Sequence, residues 1–338
     1  MSATVDADAR LEHLERLLPT PRRPPDDVLA EIRRDADVYE RALDHFAADG
    51  EVERALRIAV RIAWYWLTSG RFAEGQKRLL DLLDADGAVA PDLRAQALER
   101  AGTFAFEQGA NDEARSLFEQ SLGFARETGD DAAEATALGS LARCALMQGD
   151  LDTARERARA CEAIHERRSD EAALDFPRHI LAYADYIAGD DDRARAGFEQ
   201  TLGAARRLGN RRAVGRELTN LCSVETRAGN LERARELGEE ALRTAIELDN
   251  PHLVTYCVVN LAGVASARGD HERAAGLFGA ADAMMEKFGM ALNPGTAIEY
   301  ERHSERTRAA IGEAEFERSA RAGRELDRES VVEFALGA

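Results

Sequence analysis

The sequence predicts an all-α array of stacked helical hairpins, and three observations lead to that prediction. A fixed period is present, because Gly-Asp or Gly-Asn turns recur about every 40 residues. Small and aromatic residues repeat in register with these turns, and runs of Val, Ile and Thr with the two-residue alternation of strands do not occur. A period of this length is typical of a supersecondary unit that packs on its neighbours. The turn glycines are Gly109, Gly149, Gly189, Gly229 and Gly269.

Each unit is expected to contain two helices, as residues 133–149 and 151–168 illustrate. Gly149 ends the first helix, because glycine adopts the left-handed conformation at little cost. Asp150 begins the second by accepting hydrogen bonds from its free amide groups. Small residues near each turn allow the helices to approach closely, while phenylalanine fills the space to the next unit. These residues are Ala114, Ala154, Ala194, Ala234 and Ala274, with Phe118, Phe198 and Phe278.

The composition excludes several classes of function. The 338 residues carry a formal net charge of −18, which repels nucleic-acid phosphates and anionic membranes. The cysteines form no CxxC pair and the histidines no HExxH motif, so we predict no metal and no cofactor. The first ten residues lack the apolar core of a signal peptide, and the uncharged stretch 253–267 is too short to cross a bilayer. We therefore expect a cytoplasmic protein.

The repeat can be compared with a known family. Leu followed by a small residue, a turn Gly-Asp or Gly-Asn and then Ala-x3-Phe resembles the tetratricopeptide (TPR) helix-turn-helix. The longer period, with residues 37–81 and 272–336, is similar to the C-terminal TPR sensor arrays of LuxR/MalT-like bacterial ATP-dependent transcription regulators. The resemblance implies a right-handed superhelical solenoid of about six 40-residue repeats with capping helices at both ends. The ATPase and DNA-binding motifs of those regulators do not occur in this sequence; Gly70-x4-Gly75 lacks the Lys-Ser/Thr of a phosphate-binding loop.

We predict four regions along the chain. Residues 1–25 form a tail and a proline-rich linker, and residues 26–50 form an N-terminal capping helix. Residues 51–292 form the repeat array. Residues 293–338 form C-terminal capping helices, because Asn293-Pro294-Gly295 breaks the 40-residue register.

A candidate binding groove follows from the helical period. Positions 13, 10, 6 and 3 residues before each turn glycine share one helical face, and in TPR units the first helix lines the concave side. The fourth unit places three aromatic residues and a histidine on this face, and arginines border it in other units. Arginine and aromatic side chains are enriched at binding hot spots and suit acidic peptides or anionic aromatic molecules. The predicted groove residues are Arg143, Phe176, His179, Tyr183, Tyr186, Arg216, Arg227 and Tyr256.

The same pattern also fits a structural role, in which the aromatic rings pack between helices and the arginines pair with carboxylates. The leading hypothesis is a non-enzymatic module that captures a peptide, a protein or a small anionic or aromatic effector, in transcriptional or signalling regulation. The alternative is a scaffold or oligomerisation protein that acts through its convex face or its ends. We predict no catalytic residues. The sequence leaves open the ligand, the pathway, a homodimer, and a separate ATPase or DNA-binding partner.

Overall fold

The structure is a computed structural model that describes residues 2–18 and 24–337. Over these residues the chain forms eighteen α-helices and one 3-10 helix, with no strand. Along the same residues, no helix combines the length and the apolar character that crossing a bilayer requires. The all-α, TPR-like helical-repeat prediction is confirmed.

The described residues fall into two compact units. The N-terminal unit contains the chain up to Gln148 together with Glu156–Ser169, and the C-terminal unit contains Gly149–Arg155 together with the chain from Asp170 onward. The N-terminal unit holds α1 (Ser2–Leu17), α2 (Asp26–Arg34), α3 (Ala36–Ala48), α4 (Val52–Thr68), α5 (Phe72–Asp84), α6 (Pro91–Glu107), α7 (Asn111–Thr128), α8 (Asp131–Met147) and most of α9 (Leu151–Arg167).

The C-terminal unit begins with a 3-10 turn and continues as helical hairpins. It holds the turn Glu171–Leu174, α10 (Asp175–Ile187), α11 (Asp191–Arg207), α12 (Arg211–Ala228), α13 (Leu231–Glu247), α14 (Pro251–Arg268), α15 (His271–Phe288), α16 (Pro294–Ile311), α17 (Glu313–Arg324) and α18 (Arg328–Leu336).

Turn chemistry sets the helix boundaries as predicted. Gly149 has a φ of 77°, in the left-handed region, where a side chain would be strained. The carboxylate of Asp150 accepts a hydrogen bond from the Thr153 amide at 3.1 Å, which caps the start of α9. Asp190 caps α11 in the same way, accepting from the Arg193 amide at 3.2 Å.

The predicted packing register is also present. The alanine that follows each turn glycine by five residues is fully buried in all five units, at 0% exposure. The phenylalanine stripe is buried to 1% exposure or less. Such tight burial of small and large residues at fixed positions gives each unit its close-packed core. The residues are Ala114, Ala154, Ala194, Ala234, Ala274, Phe118, Phe198 and Phe278.

The regions before the array differ from the predicted organisation. The predicted tail contains α1, whose Leu11 and Leu14 are buried at 5% and 0% exposure, because leucines three residues apart share one helical face. The proline-rich linker lies mostly outside the described residues. The segment 26–50, expected as one capping helix, forms α2 and α3 with a break at Asp35.

The C-terminal region, predicted to form capping helices, contains α16, α17 and α18, and their capping role stays a prediction. Helix α17 packs directly on α15 through backbone contacts. A Cβ atom added to Gly279 of α15 would overlap the carbonyl group of Ala320 on α17, and one added to Gly323 would overlap Gly276. Glycine at these positions therefore allows the two helices to approach more closely than side chains would permit. The hairpin of α16 and α17 follows from this contact.

Candidate functional site

The residues of the predicted groove lie mainly on three helices of the C-terminal unit. Helices α10, α12 and α14 present one face to α16, and we call this surface the inner face. Seven of the eight predicted residues lie on these three helices, whereas Arg143 belongs to α8 of the N-terminal unit. The inner face comprises His179, Tyr183 and Tyr186 of α10, Arg216, Glu217, Ser223 and Arg227 of α12, and Tyr256, Asn260 and Gly263 of α14.

The aromatic residues of α10 form a continuous stack. The ring centroids of His179 and Tyr183 lie 5.9 Å apart, and those of Tyr183 and Tyr186 lie 5.7 Å apart. Tyr183 and Tyr186 are buried, at 4% and 3% exposure, while Phe176 at the start of the helix is half-buried. Burial of both phenols raises the pKa of each hydroxyl above its usual value. Both therefore stay neutral, and the Tyr183 hydroxyl forms a hydrogen bond whereas the Tyr186 hydroxyl is buried without one among the described residues.

A buried carboxylate holds the second part of the inner face. Glu217 is fully buried, yet it contacts His179 Nδ1 at 3.1 Å and Arg216 at 2.7 Å. Burial alone would favour the protonated acid, but the His179 and Arg216 charges outweigh it and lower the pKa of Glu217 to about 2. Arg216 also binds Asp175 at 2.8 Å. This part of the inner face is a closed network of paired charges.

Arg227 lies at the centre of the third part. Its guanidinium stacks 4.1 Å from the centroid of the Tyr186 ring and donates to the Tyr186 carbonyl oxygen at 2.9 Å. It also pairs with Asp191 of α11 and reaches Glu299 of α16 at 3.7 Å. Cation–π stacking with a charge-assisted hydrogen bond fixes the orientation of this side chain. Arg227 thus presents a positive charge that is directed at α16.

The beginning of α16 lies against the aromatic stack. The Tyr183 hydroxyl donates to the Asn293 side-chain oxygen, and the Asn293 amide donates to the Tyr256 hydroxyl at 3.3 Å. A Cβ atom added to Gly295 would lie 2.7 Å from the Tyr183 hydroxyl and 3.0 Å from the Tyr186 ring. The contact between Tyr183 and Asn293 spans 110 residues of sequence. The segment Asn293–Glu299 therefore covers the tyrosines of the inner face.

A small polar cavity of about 10 Å³ remains between α12, α14 and α16, enough for about one water molecule. The His303 ring lines it and is 6% exposed, with no hydrogen bond to either ring nitrogen. Burial, with the nearby Arg302 and Arg306 charges, lowers the pKa of His303 to about 4. The His303 carbonyl oxygen accepts from Ser266 at 3.0 Å, which holds this turn of α16 on α14. The cavity is lined by Ser223, Thr226, Val259, Asn260, Gly263, Glu299, Tyr300 and His303.

Arg143 lies in a separate environment in the N-terminal unit. Its guanidinium stacks 3.9 Å from the Phe106 ring centroid and approaches Glu107 at 3.5 Å. One repeat earlier, Arg100 stacks 4.9 Å from the Trp64 ring. The groove prediction left out Phe106 and Trp64, although both occupy the same 3-4-3 face positions. Arg143 is therefore part of a second aromatic–arginine surface.

Sequence reasoning also missed the α16 residues Asn293 and Glu299. The face positions were counted back from turn glycines at a 40-residue period, and α16 lacks a glycine in that register. Asn293 caps α16 by accepting from the Thr296 amide at 3.0 Å, which the Asn-Pro-Gly sequence does indicate. That cap signal locates the helix start but gives no information about the distant tyrosines.

The cysteines play no part in this site. All four (Cys144, Cys161, Cys222 and Cys257) are free and buried, as predicted. Burial raises the pKa of the Cys222 thiol to about 12, so the thiolate does not form at neutral pH. Within residues 2–18 and 24–337, no cluster of three His, Cys, Asp or Glu side chains is arranged to bind a metal ion.

Comparisons with known proteins agree with this architecture. Residues 93–167, which run from α6 to α9, match the tetratricopeptide repeat family model. No curated protein matches this sequence as a relative. Among solved structures, the chain resembles a Rap protein complexed with competence and sporulation factor, at 13% identity and a TM-score of 0.62. That similarity covers 98% of this chain and 96% of the Rap chain.

Two further structures share the fold. NprR in complex with its cognate peptide NprX is similar over 86% of this chain and 85% of its own, at 13% identity and a TM-score of 0.58. A signal transduction ATPase with a tetratricopeptide repeat sensor, from Pyrococcus horikoshii, is similar at 14% identity and a TM-score of 0.58. The match covers 87% of this chain and 44% of the ATPase. The periodic hairpins and these shared folds show a tetratricopeptide-like helical-repeat fold, and residues 93–167 match the tetratricopeptide repeat family model.

Proposed function

We propose that this protein is a non-enzymatic binding module that captures a peptide or protein segment on the inner face. One observation carries the proposal: the inner face already holds a polypeptide segment, Asn293–Glu299, through tyrosine hydroxyls and Arg227. A surface that recognises backbone, amide and carboxylate groups in this way has the chemistry that a peptide ligand requires. The fold it shares with Rap and NprR, solved with a factor and a peptide, supports the same class of partner.

We further propose that the module acts in transcriptional or signalling regulation inside the cytoplasm. The fold shared with a signal transduction ATPase whose repeats form a sensor supports a regulatory role. The net charge of −18 supports a protein or peptide partner over nucleic acid or an anionic membrane. The charges of the inner face are paired with one another, which suits recognition more than proton transfer. A small anionic or aromatic effector is the second ligand class that Arg227 and the tyrosines suit.

The test is affinity capture from a lysate of the native host, with bound proteins and small molecules both read by mass spectrometry. The inner-face variant carries Tyr183→Phe and Arg227→Gln, because Tyr183→Ala would leave a buried cavity at a cost of about 3–5 kcal/mol. The matched control is Arg193→Gln on α11, where the side chain is 71% exposed.

A stoichiometric partner that binds the wild type and the control but not the inner-face variant supports the proposal. A partner that all three proteins retain contradicts it. That result would assign the function to the outer face or the ends, as the scaffold hypothesis states. Thermal unfolding of each protein shows whether a lost partner reflects a lost fold.

A further inference from the structure

We propose that residues 293–303 at the start of α16 are an internal competitor for the inner face, and that the partner is an acidic peptide that displaces them. This inference rests on the proposed function. It adds the chemistry of the ligand and a form of regulation that the chain itself contains. The N-terminal half of α16 would stand in for the ligand until the ligand replaces it.

The contacts of the segment define what the inner face recognises. Asn293 offers a carbonyl oxygen to the Tyr183 hydroxyl and an amide to the Tyr256 hydroxyl. Gly295 provides a position without a side chain directly above the tyrosines. Glu299 places a carboxylate near Arg227. A peptide with a small residue about one helical turn before an acidic residue presents the same groups.

The acidic contact is incomplete, which leaves room for a better ligand. Glu299 lies 3.7 Å from Arg227, whereas a direct charge-assisted hydrogen bond is about 2.7–2.9 Å long. Glu299 also pairs with Arg302 of its own helix and is buried at 7% exposure. A peptide carboxylate that bonds Arg227 directly would therefore gain an interaction that α16 does not make. Arg227 would keep its stacking on Tyr186 in either state.

The first turns of α16 are held through side chains of the inner face, whereas the later turns are held by a separate set of buried hydrogen bonds. Residues from His303 onward are fixed by buried hydrogen bonds, since Ser266 donates to the His303 carbonyl at 3.0 Å and Thr307 donates to Ser266 at 2.8 Å. The beginning of the helix exposes Ile298, at 55% exposure, on its opposite side. The first turns can therefore leave the tyrosines while the rest of α16 stays on α14. The fraction of time they do so sets the apparent affinity for the partner.

The experiment uses the full-length chain and one defined probe. The probe is a fluorescein-labelled synthetic peptide with the sequence of residues 290–304, and binding is measured by fluorescence anisotropy. Gly295→Leu places a side chain against the Tyr183 hydroxyl and the Tyr186 ring, so it dislodges the segment without changing the tyrosines. The matched control is Gly203→Leu on α11, where a Cβ atom would meet only the Arg207 side chain, at 3.7 Å.

We expect the Gly295→Leu protein to bind the peptide at least about tenfold more tightly than the wild type and the Gly203→Leu control, a ratio that anisotropy resolves readily. Adding Arg227→Gln to Gly295→Leu, or using a peptide with glutamine at the position of Glu299, should remove most of that gain. Equal affinity for all proteins, or a gain that survives Arg227→Gln, would overturn the internal-competitor assignment.

A second variant keeps the inference testable if Gly295→Leu does not fold. Glu299→Gln removes the acidic contact with no change in volume, and it should also increase peptide binding over the wild type. Hydrogen exchange of residues 179–187 should rise in both variants while the core of α14 stays protected. Protection equal to the wild type in both would contradict the inference. The proposed function is judged separately, because a host partner lost on changing Tyr183 and Arg227 would uphold it even if the peptide never binds.

Discussion

The two units differ in how deeply their aromatic–arginine surfaces are buried. In the N-terminal unit, Trp64 and Phe106 are half-buried, and each is covered on one side by an arginine from the next repeat, Arg100 and Arg143. In the C-terminal unit, Tyr183 and Tyr186 are buried at 4% and 3% exposure, because a distant segment of the same unit lies on them. Aromatic–arginine stacking is thus common to both units, whereas complete burial belongs to one.

This difference shows that the repeat itself produces the aromatic–arginine stacking, whereas burial of the aromatic rings depends on other helices. Stacking between adjacent repeats follows from the 40-residue period, since the Trp64–Arg100 and Phe106–Arg143 pairs each join one repeat to the next. Burial of the tyrosines depends on α16, which comes from three hairpins further along the chain. The pattern of the repeat alone therefore does not determine whether such a surface is open.

The most disruptive change should be Gly279→Leu, which breaks the placement of the α16–α17 hairpin. A leucine there would overlap the Ala320 backbone, and backbone cannot move aside as a side chain can. We expect a loss of about 4 kcal/mol or more in the free energy of unfolding of the C-terminal unit, measured by urea denaturation. Gly123→Leu on α7, where nothing lies within 4 Å of an added Cβ atom, is the control. A mild effect at Gly279 would mean that α17 does not lie on α15.

The next largest effect should come from Glu217→Gln, compared with Glu99→Gln in the N-terminal unit. Glu217 is fully buried between His179 and Arg216, so loss of its charge should cost about 3 kcal/mol. Glu99 has one arginine partner, at 3.1 Å, so we expect Glu99→Gln to cost about 1 kcal/mol. Urea denaturation at neutral pH measures both values. Equal costs would show that the two carboxylates are equivalent.

The Glu217 effect should also depend on pH with a defined sign. The folded pKa of about 2 is below the ordinary value of 4.5, so the unfolded chain binds the proton more readily. The stabilisation is therefore complete above about pH 4.5 and is lost as the pH falls toward 2. The difference in the free energy of unfolding between the wild type and Glu217→Gln should therefore decrease as the pH falls from 4.5 to 2. A difference in unfolding free energy that stays constant over this pH range would contradict the assignment of Glu217 as a charged carboxylate.

The pKa of the His303 imidazole indicates whether α16 packs on the inner face. Its folded pKa of about 4 lies below the ordinary 6.5, so its contribution to stability decreases as the pH falls from 6.5 to 4, by up to about 3 kcal/mol. NMR titration of the imidazole resonances, assigned with His303→Gln, should show no protonation down to about pH 5. Titration near pH 6.5 would mean that the ring is solvated and that α16 leaves the inner face open.

The smallest expected effect compares the two arginines directly. Arg227→Ala removes a cation–π contact and a hydrogen bond and leaves Asp191 and Glu299 without this partner, so we expect a loss of about 2 kcal/mol. Arg143→Ala removes a stacking contact and a long ion pair at a partly exposed site, for about 0.5 kcal/mol. Thermal unfolding of both variants measures the two losses of stability. A larger effect at Arg143 would reverse the comparison between the units.

The sequence predicted the repeat well because its signals are local. The left-handed Gly149 and the cap at Asp150 depend on residues within one turn, and both occur as expected. The small residue at Ala114 and its counterparts recurs for the same packing reason in every unit. For helix α1, the spacing of Leu11 and Leu14 indicates a helix but not the partner that it packs against.

The predicted binding residues show where this reasoning stops. The 3-4-3 spacing correctly places His179, Tyr183 and Tyr186 on one face, because that spacing is a property of any α-helix. It could not show that Asn293 lies on Tyr183, since a contact across 110 residues depends on how three hairpins, from α10 to α15, stack on one another. Binding of a ligand by these residues remains a prediction, which the capture experiment tests.

The backbone contact between α15 and α17 has a consequence for comparing distant sequences. Identity with the solved structures that share this fold is only 13% to 14%, so the side chains differ at most positions of the fold. The contact at Gly279 and Gly323 tolerates no such drift, because the atoms that meet there are main-chain atoms. Glycines at the positions of Gly279 on α15 and Gly323 on α17 would therefore mark the chains in which these two helices meet at main-chain distance. Such chains could be separated, from sequence alone, from relatives whose repeats stay open.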